Sequence, residues 1–125
     1  MATKTNLERL KRAQSLFEQF RKNMLTERDK AGAVQAFEFC YELCWKTIKK
    51  LLESEGLEVA TPKDAFRKAA TAKLIQDPEL WFDFQKKRNL TVHTYEEETL
   101  EEVLTIFDTF SVQLQELITQ LEGRI

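Results

Sequence analysis

The sequence is short of the residues that turn a backbone: 125 residues hold three glycines and two prolines. An all-β fold needs a turn signal about every ten residues, so it is not expected here. A charge excess of one sign is missing too. Nineteen lysines and arginines against 21 aspartates and glutamates leave a net −2, which removes the usual prompt for a generic nucleic-acid binder while leaving room for a local basic site. No run approaches the roughly 18 apolar residues of a membrane span. The first six residues, Met1 to Asn6, carry no apolar stretch behind a basic one. Neither a membrane segment nor a signal peptide is therefore expected, and the cytoplasm is the expected compartment. The two cysteines, Cys40 and Cys44, lie four apart on what reads as one helix. A one-turn disulfide is geometrically poor and two thiols make an incomplete zinc site, so both are expected to be small buried apolar residues. No metal or cofactor is called for. Histidine is scarcest of all, with one residue, His93.

What is present reads as a single helical domain over residues 1–125. Hydrophobic residues make up 42% and charged residues 32%. Leu7, Leu10, Leu16, Phe17, Phe20 and Met24 recur at helical spacing and predict a first helix over about Asn6–Met24, capped by Asn6 or Thr5. A second, about Asp29–Glu55, has Val34, Phe37, Cys40, Tyr41, Cys44, Ile48, Leu51 and Leu52 as its stripe, widened by Phe39 and Trp45. That breadth suits a central helix or one facing a second subunit. Gly56 supplies its stop. Thr61-Pro62 and Asp77-Pro78 open two shorter helices, each a capping side chain followed by proline at the first helical position. They should end near Ala72 and at Lys87 or Arg88. A final helix is expected from Thr94 or Tyr95, through Leu100, Val103, Leu104, Phe107, Phe110, Leu114, Leu117, Ile118 and Leu121, with Thr94 and Glu97 as a capping box. The sum is an all-α, antiparallel up-and-down bundle of four to five helices.

The chemistry-bearing side chains concentrate in Arg88-Asn89-Leu90-Thr91-Val92-His93-Thr94-Tyr95. An always-charged phosphate binder, an amide, an imidazole and a phenol fall within eight positions. The expected geometry is a tight corner between two helices, where free N–H groups opening the last helix add positive charge suited to phosphate. Such a set supports phosphodiester cleavage without a metal. His93 would take a ribose 2′-proton or protonate the leaving oxygen, Arg88 would hold the phosphate, and Asn89 would orient either. Lys86 and Lys87 add a small basic patch. A structural reading stands beside this one: Arg88, Lys86 and Lys87 as cations complementing a helix C-terminus, His93 as a satisfied junction residue, Tyr95 as a core edge. On the second helix Glu38, Glu42 and Lys46 line one face and read either as ordinary surface pairs or as a cleft wall turned toward the His93 corner. Trp45 reads as a core or interface anchor, or as a base-stacking platform.

The arrangement Arg88-x4-His93-x-Tyr95 resembles the signature of the HEPN superfamily of helical bundles. Phe37-Glu38, Tyr41-Glu42-Leu43 and Trp45-Lys46, with Gly56, Thr61-Pro62 and Trp81 ahead of Arg88-Asn89, resemble the nucleotidyltransferase substrate-binding protein family over about residues 5 to 122. The resemblance implies a HEPN-like fold, a homodimer, and a separately encoded minimal nucleotidyltransferase as partner. It implies a toxin-type, metal-independent endoribonuclease with Arg88 and His93 catalytic, Asn89 and Thr94 supporting, and Tyr95 accepting AMP from the partner. Its other implication is a non-catalytic subunit that binds a nucleotide or other substrate for the transferase.

Overall fold

The computed structural model describes residues 2–125; the expectation drawn from the first six residues includes Met1, which lies outside them. The chain forms α1 (Ala2–Arg21), α2 (Glu27–Ser54), α3 (Pro62–Thr71), α4 (Pro78–Leu90), a 3-10 turn (Thr91–His93), α5 (Glu97–Leu104) and α6 (Phe107–Arg124). No strand forms among the described residues, and no helix is long and apolar enough to cross a membrane.

The local signals explain most boundaries. The Thr61 and Asp77 side chains accept from Asp64 N–H and Glu79 N–H, each ahead of its proline. Gly56 takes φ +92° just past α2, and Leu57 N–H reaches back to Leu52 C=O at 2.9 Å. This is the left-handed stop that a glycine makes inexpensive. Three boundaries differ from expectation. Thr5 and Asn6 sit inside α1, which starts at Ala2, so neither caps it. The start of α2 is fixed by a capping box in which Thr26 and Asp29 exchange side-chain-to-backbone bonds. The expected single final helix is kinked into α5 and α6 at Thr105-Ile106. Thr105 Oγ1 donates to Glu102 C=O at 2.6 Å, a back-bond that competes with the helical ladder.

Antiparallel packing of α1 on α6 follows from one register of side-chain pairs. Lys11 meets Glu122 at 2.7 Å, Gln14 meets Gln115 at 2.9 Å, Ser111 donates to Glu18, and Arg21 meets Asp108 at 2.8 Å. Helix α2 packs against α1, α3 and α4. The core is an aromatic relay in which Phe17 and Phe37 each contact Phe107 and Phe110, while Phe110, Phe84, Trp81 and Phe66 continue it with centroids 4.9–5.9 Å apart. Cys40 and Cys44 are unpaired and buried in it, as expected. Phe39 and Leu16 are not: they are 48% and 38% exposed, on the outer α1–α2 face.

Candidate functional site

The segment carrying the motif is not a corner after Asn89. With no glycine or proline between Pro78 and Gly123, α4 runs on to Leu90 and tightens into the 3-10 turn Thr91–His93. The chain turns only at Thr94 to Glu96. Thr94 therefore caps no helix; its Oγ1 donates to Thr91 C=O at 3.1 Å. The next helix opens on Glu96, without a side-chain cap, and on Glu97 and Glu98. Its first turn thus carries the chain's own carboxylates, which lowers the positive charge that a phosphate would meet at that N-terminus.

Arg88 points back toward α2. Its Nη1 donates to Thr91 Oγ1 at 3.0 Å and lies 3.2 Å from Glu38 Oε2, and its Nε lies 3.8 Å from Glu42 Oε1. That last distance is an ion-pair contact and too long for a hydrogen bond, so the buried Nε–H meets no acceptor. Nη2 makes no hydrogen bond among the described residues. Thr91, 7% exposed, completes the group: its hydroxyl lies 2.8 Å from Glu38 Oε2 and 2.7 Å from Arg88 C=O. Glu42 also accepts from Trp45 Nε1 at 3.1 Å and pairs with Lys46 at 4.0 Å. The face formed by Glu38, Glu42 and Lys46 is thus turned toward the motif. Burial pushes the neighbouring Tyr41 phenol well above its ordinary range; Glu42 adds to this and the Arg88 charge pulls the other way.

His93 faces outward. Its Nδ1 lies 3.3 Å from Tyr95 Oη, and the rings meet edge-on with centroids 5.9 Å apart. Nε2 is unengaged. Tyr95 is 78% exposed, so it is no core edge, and Asn89 is exposed on the last turn of α4. The structure therefore makes two groups: Arg88 with Glu38, Thr91 and Glu42, and His93 with Tyr95. No hydrogen bond or ring contact joins Arg88 to His93. The basic patch shrinks to Lys86, because Lys87 is held by Asp83 at 3.2 Å and Glu102 at 3.8 Å. Thr91 is the residue that sequence reading passed over. Its signal was a hydroxyl at i+3 from the arginine, on the turn that also carries the only histidine. No group of three or more His, Cys, Asp or Glu side chains suited to a metal occurs among the described residues.

The family model described as nucleotidyltransferase substrate binding protein like matches residues 5–123. A probable ribonuclease HepT of Haemophilus influenzae is 35% identical over 99 residues, which span 75% of this chain and 68% of that protein. A Haemophilus influenzae structure, described as the fold of a substrate binding domain of a nucleotidyltransferase, superposes with a TM-score of 0.84 at 30% identity, covering 93% of this chain and 98% of that one. A tri-AMPylated Shewanella oneidensis HEPN toxin, solved in complex with an MNT antitoxin, superposes with a TM-score of 0.79 over 97% of this chain and 96% of its own; at 16% identity it shares the fold.

Proposed function

The chain belongs to the nucleotidyltransferase substrate-binding-protein-like family, and from that premise we propose that it is the HEPN subunit of a two-component system, a metal-independent endoribonuclease silenced by AMP transfer to Tyr95. The observation that carries this is the contact between His93 Nδ1 and Tyr95 Oη at 3.3 Å on an exposed turn. The hydroxyl that would be modified touches the imidazole that would do the chemistry.

In the cleavage step His93 Nε2 takes the ribose 2′-proton. The 2′-oxygen attacks phosphorus, the bond to the 5′-oxygen breaks, and a 2′,3′-cyclic phosphate forms while an imidazolium returns a proton to the leaving oxygen. Arg88 offers its unengaged Nη2 to the phosphate as charge builds. Arg88 faces inward and His93 outward, so one phosphate is best served by groups from two subunits. The exposed Leu16 and Phe39 offer apolar surface for a homodimer. Exposed Asn89 and Lys86 lie on the outer side of α4 along which a strand would run.

In the silencing step Tyr95 Oη attacks the α-phosphorus of ATP on the partner transferase. Pyrophosphate leaves, the phenolic proton passes to a base or to water, and the new ester places a nucleotide against His93. With Nε2 as the base, Nδ1 carries the hydrogen and faces Tyr95 Oη; once esterified, that oxygen is a poorer acceptor, and the nucleotide fills the approach to Nε2.

Expression of the chain alone should arrest bacterial growth, and both His93→Ala and co-expression of the partner transferase should relieve the arrest. Mass spectrometry after incubation with partner and ATP should place added AMP on Tyr95 and none on Tyr95→Phe. The second reading, a non-catalytic nucleotide- or substrate-binding subunit, has the description of the 30% identical Haemophilus structure in its favour. Harmless expression in every arm, with a stable complex still formed, would select it.

A further inference from the structure

We propose that Glu38 and Thr91 are positioning residues. Glu38 grips the Arg88 guanidinium directly and, through the Thr91 hydroxyl, fixes the 3-10 turn that presents His93. The proposal rests on the nuclease reading for what is positioned, but the geometry it invokes stands apart from that activity.

Three elements meet at one hydroxyl. Thr91 Oγ1 has one proton to give; it accepts from Arg88 Nη1 at 3.0 Å and faces Glu38 Oε2 at 2.8 Å and Arg88 C=O at 2.7 Å. That one proton is shared between the two acceptors, Glu38 Oε2 and Arg88 C=O. Glu38 Oε2, 3.2 Å from Arg88 Nη1, closes the triangle. A threonine that merely ended α4 would need only its own carbonyl three residues back, a common local bond. A cation that merely complemented the C-terminal end of α4 would need nothing from α2. The Glu38 contacts span 53 positions to Thr91 and serve neither purpose.

The division of labour between the two glutamates points the same way. Glu42 is already occupied by Trp45 and Lys46 on its own helix, whereas among the described residues Glu38 partners Arg88 and Thr91 alone. The grip is on Nη1, which leaves Nη2 as the donor facing a substrate. His93 follows Thr91 by two positions in the same turn. Tying Thr91 to α2 therefore sets the height and rotation of the imidazole relative to the bundle.

The single histidine makes the test direct, because its Cε1–H gives an NMR resonance that no other histidine can share. The full chain is compared as wild type, Thr91→Val, Thr91→Ser and Glu38→Gln. Thr91→Val, which keeps the shape and removes the hydroxyl, should shift and broaden the His93 ring resonance. It should lower kcat on RNA by about ten- to a hundredfold, the scale of a small misplacement of reacting groups, with KM little changed. Thr91→Ser should restore both. Glu38→Gln, which keeps the shape of a side chain that is 29% exposed, should move the resonance in the same direction and keeps the test decisive if Thr91→Val does not fold. A Thr91→Val protein that melts earlier but keeps the wild-type His93 resonance and kcat overturns the proposal, leaving Thr91 a stability residue. If the wild type cuts no RNA, the nuclease reading falls by itself, and the resonance still decides the positioning.

Discussion

Replacing Gly32 with alanine should destabilise this bundle, although alanine is the better helix former. Gly32 lies in the second turn of α2, where α1 crosses it. A Cβ built there would stand 2.3 Å from Phe20 Cε1 and 2.6 Å from Cζ, against the roughly 3.5–4.0 Å of a relaxed carbon contact. The ring must move by more than an ångström, or α1 and α2 must part. Phe20 is half-buried, so its ring can swing outward, and the penalty falls within the usual overpacking range of about 1–3 kcal/mol. Against this stands a helix-propensity gain of about 1 kcal/mol. The net is a loss of about 1 kcal/mol, which for a domain of this size lowers Tm by about 3–6 °C. The assay is thermal unfolding followed by circular dichroism, run in two backgrounds. In Phe20→Leu the obstructing ring is gone, and Gly32→Ala should then show the propensity gain alone and raise Tm. The sign reversal is the signature of the contact. An equal effect of Gly32→Ala in both backgrounds would refute the steric account of how α1 seats on α2.

Three further outcomes follow from the same structure. Burial pushes the Cys40 thiol up to about 12, with Glu18 adding to it, and holds Cys44 well above its usual range, so iodoacetamide at pH 8 should label neither thiol until denaturant opens the core; labelling at the rate of a free thiol would contradict the burial. Stability should fall as pH drops below about 4. Backbone N–H bonds from Thr26 and Leu25 hold Asp29 below its ordinary range, and the Ala60 N–H and then Lys68 do the same for Asp64; burial raises Glu18, but its bonds from Arg21 and Ser111 outweigh that. Each folded-state value lies below the unfolded one, so these carboxylates stabilise above the unfolded value and lose that contribution as pH falls through the folded one. A urea midpoint that stays constant from pH 6 to about pH 3 would contradict this. Tyr95→Phe removes the hydroxyl beside His93 Nδ1 while keeping the ring, and should abolish AMP acceptance, so that the partner transferase no longer relieves the growth arrest; unchanged labelling in mass spectrometry would place the acceptor elsewhere.

The parts of this fold written in local chemistry were legible. The Thr61-Pro62 and Asp77-Pro78 starts and the Gly56 stop each act within a turn of the chain, and the α2 stripe over Glu27–Ser54 follows from its spacing. The capping box at Thr26 was missed because aspartate stands where the usual pattern has glutamate or glutamine. The break at Thr105 rests on a hydroxyl that turns back on the end of α5, whereas Thr119 makes a similar bond inside α6 without interrupting it. At the site, sequence found His93 with Tyr95 because they are neighbours, and it found the Glu38–Glu42–Lys46 face because helical spacing aligns it. It did not join that face to Arg88. Nothing local says which of several glutamates a cation will meet across 50 positions. Expecting α4 to stop at Lys87 or Arg88 rather than run to Leu90 hid the role of Thr91, since a residue placed in a loop has no fixed direction.

The central claim is that His93 drives RNA cleavage and that Tyr95 switches it off. Purified chain should be incubated with labelled RNA in chelator, alongside His93→Ala and a sample first treated with the partner transferase and ATP. The account requires cleavage to 2′,3′-cyclic phosphate ends by the untreated wild type alone, with His93→Ala folded but inactive and the AMP-bearing protein silent. Equal cleavage by His93→Ala, or undiminished cleavage by the protein carrying AMP on Tyr95, would contradict it.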